Sequence, residues 1–410
     1  MAAQSCADNA CDGKRMTQNK QQPITLGIEK LLKESRKLVG SARVGLVCNQ
    51  ASVDHNFHHA ADLLHEHPDI NLTALFGPQH GIRGDVQDNM IETSHGRDAK
   101  TGLPIYSLYS ETREPTEEML RDVDVIVFDL QGVGCRIYTF VYTLANCMRA
   151  AKKYGQRVIA CDRPNPIGGV KIEGNVLDPA FASFVGQFPV PTRTGMTDVE
   201  LGRMFNDQFG IGCDLECLTM DGWSRERWYD ETDGPWVLPS PNMPTVDTAS
   251  VFPGSVHLEG TQMSEGRGTT RPFEIVGAPY INSAGFADAL AQLDLPGVYF
   301  RSCVFLPTFQ KHAGKACGGV QIHVTDRQTF KPVITGVAIV KVAHDLYGEQ
   351  FRWKDPPYEY EYDRNPFDII SGGSALREAI ERGDELGSIE ASWQAPLREF
   401  TRVRQEFLLY

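Results

Sequence analysis

The sequence lacks any long apolar run. None of its 410 residues belong to a stretch approaching the roughly 18 apolar residues that a membrane-spanning helix requires, so we predict no membrane partner. The opening segment, MAAQSCADNACDGKRMTQNKQQ, has no apolar core typical of a signal peptide. We therefore expect residues 1–23 to form a disordered tail and the protein to be cytoplasmic.

Positive charge is also scarce. Lys and Arg number 40 against 53 Asp and Glu, which gives a formal net charge of −13. Nucleic acid or an anionic membrane surface would be repelled by such a chain. The balance favours a small or neutral ligand as the partner and excludes nucleic acid.

Motifs for disulfides and metals are missing as well. The ten cysteines include no CxxC pair, and Cys48 and Cys161 lie in apolar runs, which indicates buried free thiols in a reducing compartment. Seven of the eleven histidines fall between residues 55 and 95, but no HExxH pattern accompanies them. We predict neither a metal site nor a cofactor.

Short apolar strands alternate with amphipathic helices, a pattern typical of a parallel sheet with helical crossovers. Further on, TEEMLRDV (116–123) is interpreted as a short helix and PVITGVAIVKVAHDLYG (332–348) as a strand followed by a helix. The amino-acid composition becomes rich in proline and glycine near residues 222–240, which indicates a domain boundary. The predicted strands are 43–50, 70–77, 104–110, 123–132 and 156–164.

Polar residues follow these strands where each one ends. Carboxyl ends of parallel strands share one edge of a sheet, and ligands bind at that edge. The polar pairs are Asn49/Gln50, Gln79/His80, Asp129/Gln131 and Asp162/Arg163.

The polar loop after the second strand, residues 77–98, is the first candidate for chemistry because long loops inside domains are often functional. Glu92 follows Met90 and Ile91 there. A carboxyl group shielded among apolar residues has a raised pKa, as a general acid requires. The alternative, which composition alone favours, is a solvated loop glutamate. His80 is interpreted either as a site residue or as a residue that stabilises the loop.

Other candidate residues have two interpretations each. Asp129, at the end of the most apolar strand, is either a buried structural group or a functional acid. Just beyond it, Arg136 would donate to a ligand carboxylate and Tyr138 to a ligand hydroxyl. The glycines of QGVGCRI (131–137) suit a dinucleotide site or a tight turn. The segment SEGRGTTRPFE (264–274), which contains Glu265 and Arg267, either binds an anionic group of the ligand or forms only a structural turn.

Taken together, several motifs resemble one family. They occur in order as GPQHGIRGDVQDNMIE, VFDLQGVGCRIYT, CDRPNPIGG, FVGQFPVPTRTGMTDVELG, LPSPNMPT, SEGRGTTRPFEIVGAP and FQKHAGKACGGVQIHVTD. The chain is similar in these to the NamZ-type (YbbC-like) exo-β-N-acetylmuramidases, which are peptidoglycan hexosaminidases. With NPFDIISG the similarity covers nearly all of the chain after the tail.

The resemblance implies an α/β fold in which a Rossmann-like, mostly parallel sheet domain (24–230, with a catalytic loop at 77–104) packs on a smaller α+β C-terminal domain (231–410). It implies an active cleft between them and the release of terminal N-acetylmuramic acid from the non-reducing end of peptidoglycan fragments. It also admits the cell envelope as the compartment. The oligomeric state stays open.

The resemblance further implies residue roles. Glu92 matches the catalytic acid, and Asp129 or the substrate's own 2-acetamido group would support the developing positive charge. Arg136 or Arg267 would pair with the lactyl carboxylate of muramic acid. Further residues are expected to be catalytic or to bind substrate, namely His80, Gln79, Tyr138, Asp162, Arg163, Asn165 and Glu265.

One departure from the family pattern concerns Gln79. Relatives often read P-E-H-G where this chain reads PQHG, so one carboxyl group is replaced by an amide. That replacement favours a second hypothesis, a non-catalytic protein that binds amino sugars or peptidoglycan fragments. A third, a nucleotide-dependent oxidoreductase, depends on the GVG of 132–134 alone.

Overall fold

A computed structural model describes residues 23–88 and 90–410. The predicted tail therefore lies, apart from Pro23, outside the described residues. The strands are β1 (Arg43–Val47), β2 (Asn71–Gly77), β3 (Gly96–Arg97), β4 (Pro104–Ser107), β5 (Val125–Phe128), β6 (Arg157–Cys161), β7 (Glu173–Val176), β8 (Pro191–Arg193), β9 (Leu215–Leu218), β10 (Ile275–Ala278), β11 (Val298–Phe305) and β12 (Cys317–Val324).

The main sheet confirms the predicted α/β class. Its order is β3-β4-β2-β1-β5-β6-β9, and every neighbouring pair is parallel except the short edge pair of β3 and β4. The carboxyl ends of the parallel strands therefore meet at one edge, as expected. A separate antiparallel sheet, β10-β12-β11, belongs to the C-terminal half.

Helices cover both faces of the main sheet and form the C-terminal half. They are α1 (Gly27–Lys33), α2 (Ser35–Leu38), α3 (Ala60–Glu66), α4 (Phe140–Tyr154), α5 (Asp198–Asp207), α6 (Val246–Ser255), α7 (Ser283–Ala291), α8 (Pro332–Tyr347), α9 (Pro366–Ser371), α10 (Ala375–Arg382) and α11 (Leu386–Arg404).

The central strand β5 shows why its sequence is continuously apolar. Val125 and Val127 pack in the core formed with α1 and α3, whereas Ile126 and Phe128 pack in the core formed with α4 and α5. Successive side chains of a strand point to opposite faces, so a strand covered on both faces needs apolar residues throughout.

Local signals set several helix ends. Thr197 and Glu200 form the predicted capping box at the start of α5. Gly155, with φ +83°, follows the last residue of α4 and adopts the left-handed conformation that glycine allows.

Two sequence interpretations are wrong. Residues 116–123 form turns rather than a helix, and Pro332–Tyr347 forms one helix, α8, where a strand and a helix were predicted over 332–348. The first half of α8 is buried on all sides, and a short apolar run has no periodicity that distinguishes a buried strand from a buried helix. In the described part of the chain, no helix is long and apolar enough to cross a membrane.

Helices α6 and α8 approach at backbone contact in the C-terminal half. A Cβ added at Gly336, in α8, would overlap the carbonyl oxygen of Gly254, in α6, and a Cβ at Gly254 would overlap the carbonyl of Pro332. Glycine is therefore required at both positions for this packing.

We expect Gly336→Ala to lower the free energy of unfolding by about 1–3 kcal/mol, because overpacking costs more than the roughly 1 kcal/mol that alanine returns as a better helix former. Gly387→Ala, in α11, is the matched control, since a Cβ there meets open space. Urea titrations of both variants measure the effect, and an unchanged or raised stability in Gly336→Ala would contradict the packing account.

Candidate active site

A cavity lies where the carboxyl edge of the main sheet meets the C-terminal half. It contains about 490 Å³ of space between protein atoms, part of which is open solvent. Its walls come from both halves of the chain. They are Gln79, His80, Ile137, Tyr138, Thr139, Phe140, Val185, Ser240, Asn242, Met243, Phe252, Val256, Glu259, Arg267, Phe273, Tyr358 and Glu359.

Gln79 lines the cavity and is buried. Its amide oxygen accepts a hydrogen bond of 2.8 Å from the Thr139 hydroxyl. Its Nε2 donates to the Tyr109 hydroxyl at 3.3 Å and to Oε1 of Glu359 at 3.1 Å. The amide is thereby fixed in orientation and faces a carboxyl group that the sequence separates from it by 280 positions.

Glu359 is only 2% exposed although it lines the cavity. The hydroxyl of Tyr109 donates to its Oε2 at 2.8 Å. Burial raises the pKa of Glu359, as does the nearby carboxylate of Glu259, while hydrogen bonds from Tyr109 and Gln79 act in the opposite direction.

Glu259 stands in a different environment on the same wall. Burial alone would raise its pKa, but Arg267 and the Tyr358 hydroxyl lower the pKa of Glu259 overall. Arg267 donates to Glu259 at 2.6 Å, and Tyr358 donates at 2.7 Å. The cavity therefore holds two carboxyl groups whose surroundings push their pKa values apart.

Arg267 joins Glu259 to a wider ion network. Its Nε lies 3.2 Å from Oε1 of Glu265, and Lys311 donates to Oε2 of the same residue at 2.9 Å. Two acidic and two basic side chains thus balance one another below the cavity. Of the predicted pair, Arg267 reaches the cavity wall and Glu265 supports it from behind.

His80 lines the cavity in a backbone conformation that side chains rarely adopt, with φ +70°. Its Nδ1 lies 2.8 Å from the carbonyl oxygen of Val86, so Nδ1 carries the hydrogen and Nε2 is left with a lone pair. Burial lowers the pKa of His80 to about 4, which keeps the ring neutral at higher pH. Both sequence interpretations therefore hold: His80 is a cavity residue that also ties its loop.

Asp129 and Arg163 form a buried ion pair. Asp129 is 0% exposed, and its two oxygens accept from Arg163 at 2.6 and 2.8 Å. Neither residue lines the larger cavity, because the strand-end carboxylate meets an arginine from the neighbouring strand end. The expected contact of Asp129 with substrate stays a prediction.

Arg136 is buried away from the cavity wall. It is 1% exposed and donates to four backbone carbonyls, those of Asn175, Val190, Ile370 and Ser371. These carbonyls use all four hydrogens of its two terminal nitrogens, so the geometry does not favour the predicted contact of Arg136 with a ligand carboxylate. Its neighbour Tyr138 does line the cavity.

Asp162 and Asn165 face a second, smaller cavity of about 260 Å³, which Arg163 also lines. Asp162 accepts hydrogen bonds from the hydroxyls of Thr197 at 2.9 Å and Tyr410 at 2.7 Å. Asn165 donates to the Met196 carbonyl at 2.9 Å. The three residues line this second cavity rather than the larger one, and their expected contact with substrate stays a prediction.

The glycines of the GVG motif are explained by packing. A Cβ at Gly132 would overlap the carboxylate of Asp198, and one at Gly134 would overlap the amide of Asn165. Helix α4 begins only at Phe140, so no short strand-to-helix turn follows β5 as a dinucleotide site requires.

The loop of Glu92 crosses the rim, as predicted, but the predicted shielding of this residue is wrong. Asn242 donates to the Gln87 carbonyl at 3.4 Å and Met90 N donates to the Tyr109 hydroxyl at 3.0 Å, which hold the loop over the edge. The Glu92 side chain is 50% exposed and lies 4.0 Å from Arg113. The backbone of Met90, two residues earlier, is anchored to Tyr109, whereas the Glu92 side chain faces outward.

Sequence reasoning missed Tyr109, Glu259, Tyr358 and Glu359. Tyr109 was interpreted only as part of a strand, and the acidic and aromatic segment YEYEYD (358–363) was not considered. Asn242 lay inside the quoted motif LPSPNMPT, which was the one available signal for the C-terminal wall. Among the described residues, no group of three or more His, Cys, Asp or Glu is arranged to hold a metal ion.

Comparisons with known proteins agree with this architecture. Residues 44–247 match the family model described as exo-beta-N-acetylmuramidase NamZ, N-terminal, and residues 250–410 match its C-terminal counterpart. The chain is 45% identical over 406 residues to the peptidoglycan beta-N-acetylmuramidase NamZ of Bacillus subtilis (strain 168), covering 99% of this chain and 96% of that protein.

Two solved structures from Bacteroides fragilis NCTC 9343 are similar. The DUF1343 family protein BF0371 superposes with a TM-score of 0.85 at 36% identity, over 94% of this chain and 99% of that one. BF0379, of the same family, has a TM-score of 0.75 at 26% identity, over 95% and 99%.

The buried carboxyl of Asp162 gives a test of stability. Burial, together with Glu200, raises the pKa of Asp162 to about 8. Between its unfolded pKa near 3.9 and this value, the folded state holds a proton that the unfolded state loses, so stability falls as pH rises. We expect Asp162→Asn to gain stability relative to the wild type between pH 5 and pH 8.

Urea titrations at pH 5, 6, 7 and 8 measure this difference, and Asp221→Asn, an exposed carboxylate paired with Lys30, is the control. Curves for wild type and Asp162→Asn that stay parallel across this range would contradict the assignment.

Proposed function

Because this chain belongs to the exo-β-N-acetylmuramidase NamZ family, we propose that it is a glycoside hydrolase that releases terminal N-acetylmuramic acid from the non-reducing end of peptidoglycan fragments. The relative from Bacillus subtilis is named a peptidoglycan beta-N-acetylmuramidase. The supporting observation in this chain is the cavity between the two halves, whose wall combines Glu259, Glu359 and Arg267.

The cavity has the groups that glycoside hydrolysis needs. The reaction passes through an oxocarbenium-like state, in which one carboxyl group protonates the leaving oxygen and a negative group supports the developing positive charge. Glu259, kept ionised by Arg267, suits the second role. The 2-acetamido group of the substrate is the alternative support. Neither role requires a metal or an organic cofactor.

Recognition of the lactyl carboxylate falls to Arg267. It is the one lysine or arginine on the cavity wall among the residues that the structure describes. Arginine suits this task because its guanidinium pairs with carboxylates through two parallel hydrogen bonds. Gln79, His80 and Tyr138 would contact the sugar itself.

We expect Arg267→Lys to lower kcat/KM for a chromogenic β-N-acetylmuraminide by about 10- to 100-fold, since a charge-assisted hydrogen bond contributes about 1.5–3 kcal/mol. The loss should be smaller for the matching β-N-acetylglucosaminide, which has no lactyl carboxylate. Steady-state rates on both substrates give the ratio that reports recognition.

Arg271→Lys is the control, because Arg271 is a half-exposed partner of Glu274 outside the cavity. Equal losses on both substrates would remove Arg267 from lactyl recognition. Tight binding of the muraminide by calorimetry, without release of muramic acid by the wild type, would instead establish the non-catalytic sugar-binding protein.

A further inference from the structure

We propose that Glu359 is the proton donor of this hydrolysis and that Tyr109 and Gln79 are the positioning residues that aim its carboxyl group into the cavity. The inference rests on the proposed function, because it assigns a step of that reaction. It is distinct from the assignment of Glu92 that the family resemblance implies.

The first argument is placement. Glu359 combines access and shielding, since its side chain lines the cavity although the residue is 2% exposed. A proton donor for a glycosidic oxygen must reach the bond and stay out of bulk water, which favours its neutral form. Glu92 is not among the residues of the cavity wall, and its side chain is 50% exposed, so it does not meet the second condition.

The second argument is the direction of the hydrogen bonds. Tyr109 Oη accepts from Met90 N at 3.0 Å and from Gln79 Nε2 at 3.3 Å, so its own hydrogen is directed to Oε2 of Glu359 at 2.8 Å. Thr139 holds the Gln79 amide oxygen, so the amide nitrogen faces Oε1. Each carboxyl oxygen thus has one fixed donor and keeps its other lone pair for a proton.

The third argument is backbone strain. Glu359 has φ +45° and Tyr360 has φ +67°, a region that residues with a Cβ rarely occupy. Such strain concentrates at functional sites where the surroundings hold it in place. The turn is closed by reciprocal backbone hydrogen bonds of 3.0 and 2.9 Å between Tyr358 and Glu361.

This same turn delivers contacts to both cavity carboxyl groups. Tyr358 donates to Glu259, and the next residue is Glu359 itself. Burial and the charge of Glu259 raise the pKa of Glu359, whereas Arg267 keeps Glu259 ionised. One carboxyl group is therefore prepared to give a proton and the other to remain negative.

The step balances as follows. The carboxyl hydrogen of Glu359 passes to the glycosidic oxygen while the bond between that oxygen and C1 breaks, and the bonding electrons leave with the oxygen as a sugar hydroxyl. Glu359 becomes a carboxylate. Water then forms the new bond to C1, and the proton that it loses restores Glu359.

The test compares leaving groups. We expect Glu359→Gln to lower kcat/KM by about 10²- to 10⁴-fold on the natural disaccharide, the range in which general acid catalysis contributes. The loss should be less than tenfold on a 2,4-dinitrophenyl muraminide, whose leaving group needs no proton. Glu361→Gln, on the same turn but paired with Arg364 outside the cavity, is the control and should leave both rates unchanged.

The pH profile is the second readout. The wild type should lose kcat/KM as pH rises through the raised pKa of Glu359, because the protonated form is required, and Glu359→Gln should lack this alkaline limb. Tyr109→Phe removes a donor that stabilises the carboxylate, so its alkaline limb should move to higher pH. A structural role alone would change the rate without moving the limb.

Three outcomes would overturn the inference: near wild-type rates for Glu359→Gln on the natural disaccharide, equal losses on both leaving groups, or the leaving-group pattern appearing in Glu92→Gln instead. Failure of the proposed function would look different, because the wild type itself would then release no muramic acid from either substrate.

Discussion

The buried guanidinium of Arg136 is the interaction on which the cleft depends. It donates to carbonyls on both sides of the molecule, at Asn175 and Val190 in one half and at Ile370 and Ser371 in the other. A buried charge is costly unless it is hydrogen-bonded, so the guanidinium holds these three segments together. It thereby joins the part of the chain that follows the sheet edge to helix α9 of the C-terminal half.

The charge balance near the cleft explains how an acidic protein would bind an anionic sugar. The chain as a whole has a formal charge of −13, which would oppose a substrate carboxylate at long range. Near the cavity, however, Glu259 and Glu265 are balanced by Arg267 and Lys311. In the proposed reaction, short-range hydrogen bonds from Arg267 would therefore outweigh the repulsion, because surface charges are screened by salt over about 10 Å.

The sequence predicted the sheet well but the site only in part, because strands depend on local composition and site contacts depend on residues far apart in the chain. Strands such as Val125–Phe128 are specified by local composition, and the polar residues that follow Gly77 had to lie at the ligand edge. Whether a polar side chain faces a ligand or another side chain depends on partners far along the chain. Asp129 finds Arg163, whereas Gln79 finds Glu359, and no local pattern separates these cases.

The proposed removal of one terminal sugar at a time determines how the substrate is counted. The walls of the cavity come from both halves of the chain, and the proposed reaction takes place there at a chain end. The rate on a wall fragment would thus scale with the number of free chain ends rather than with its mass. Enzymes that cut strands internally would multiply those ends and accelerate turnover without touching this protein.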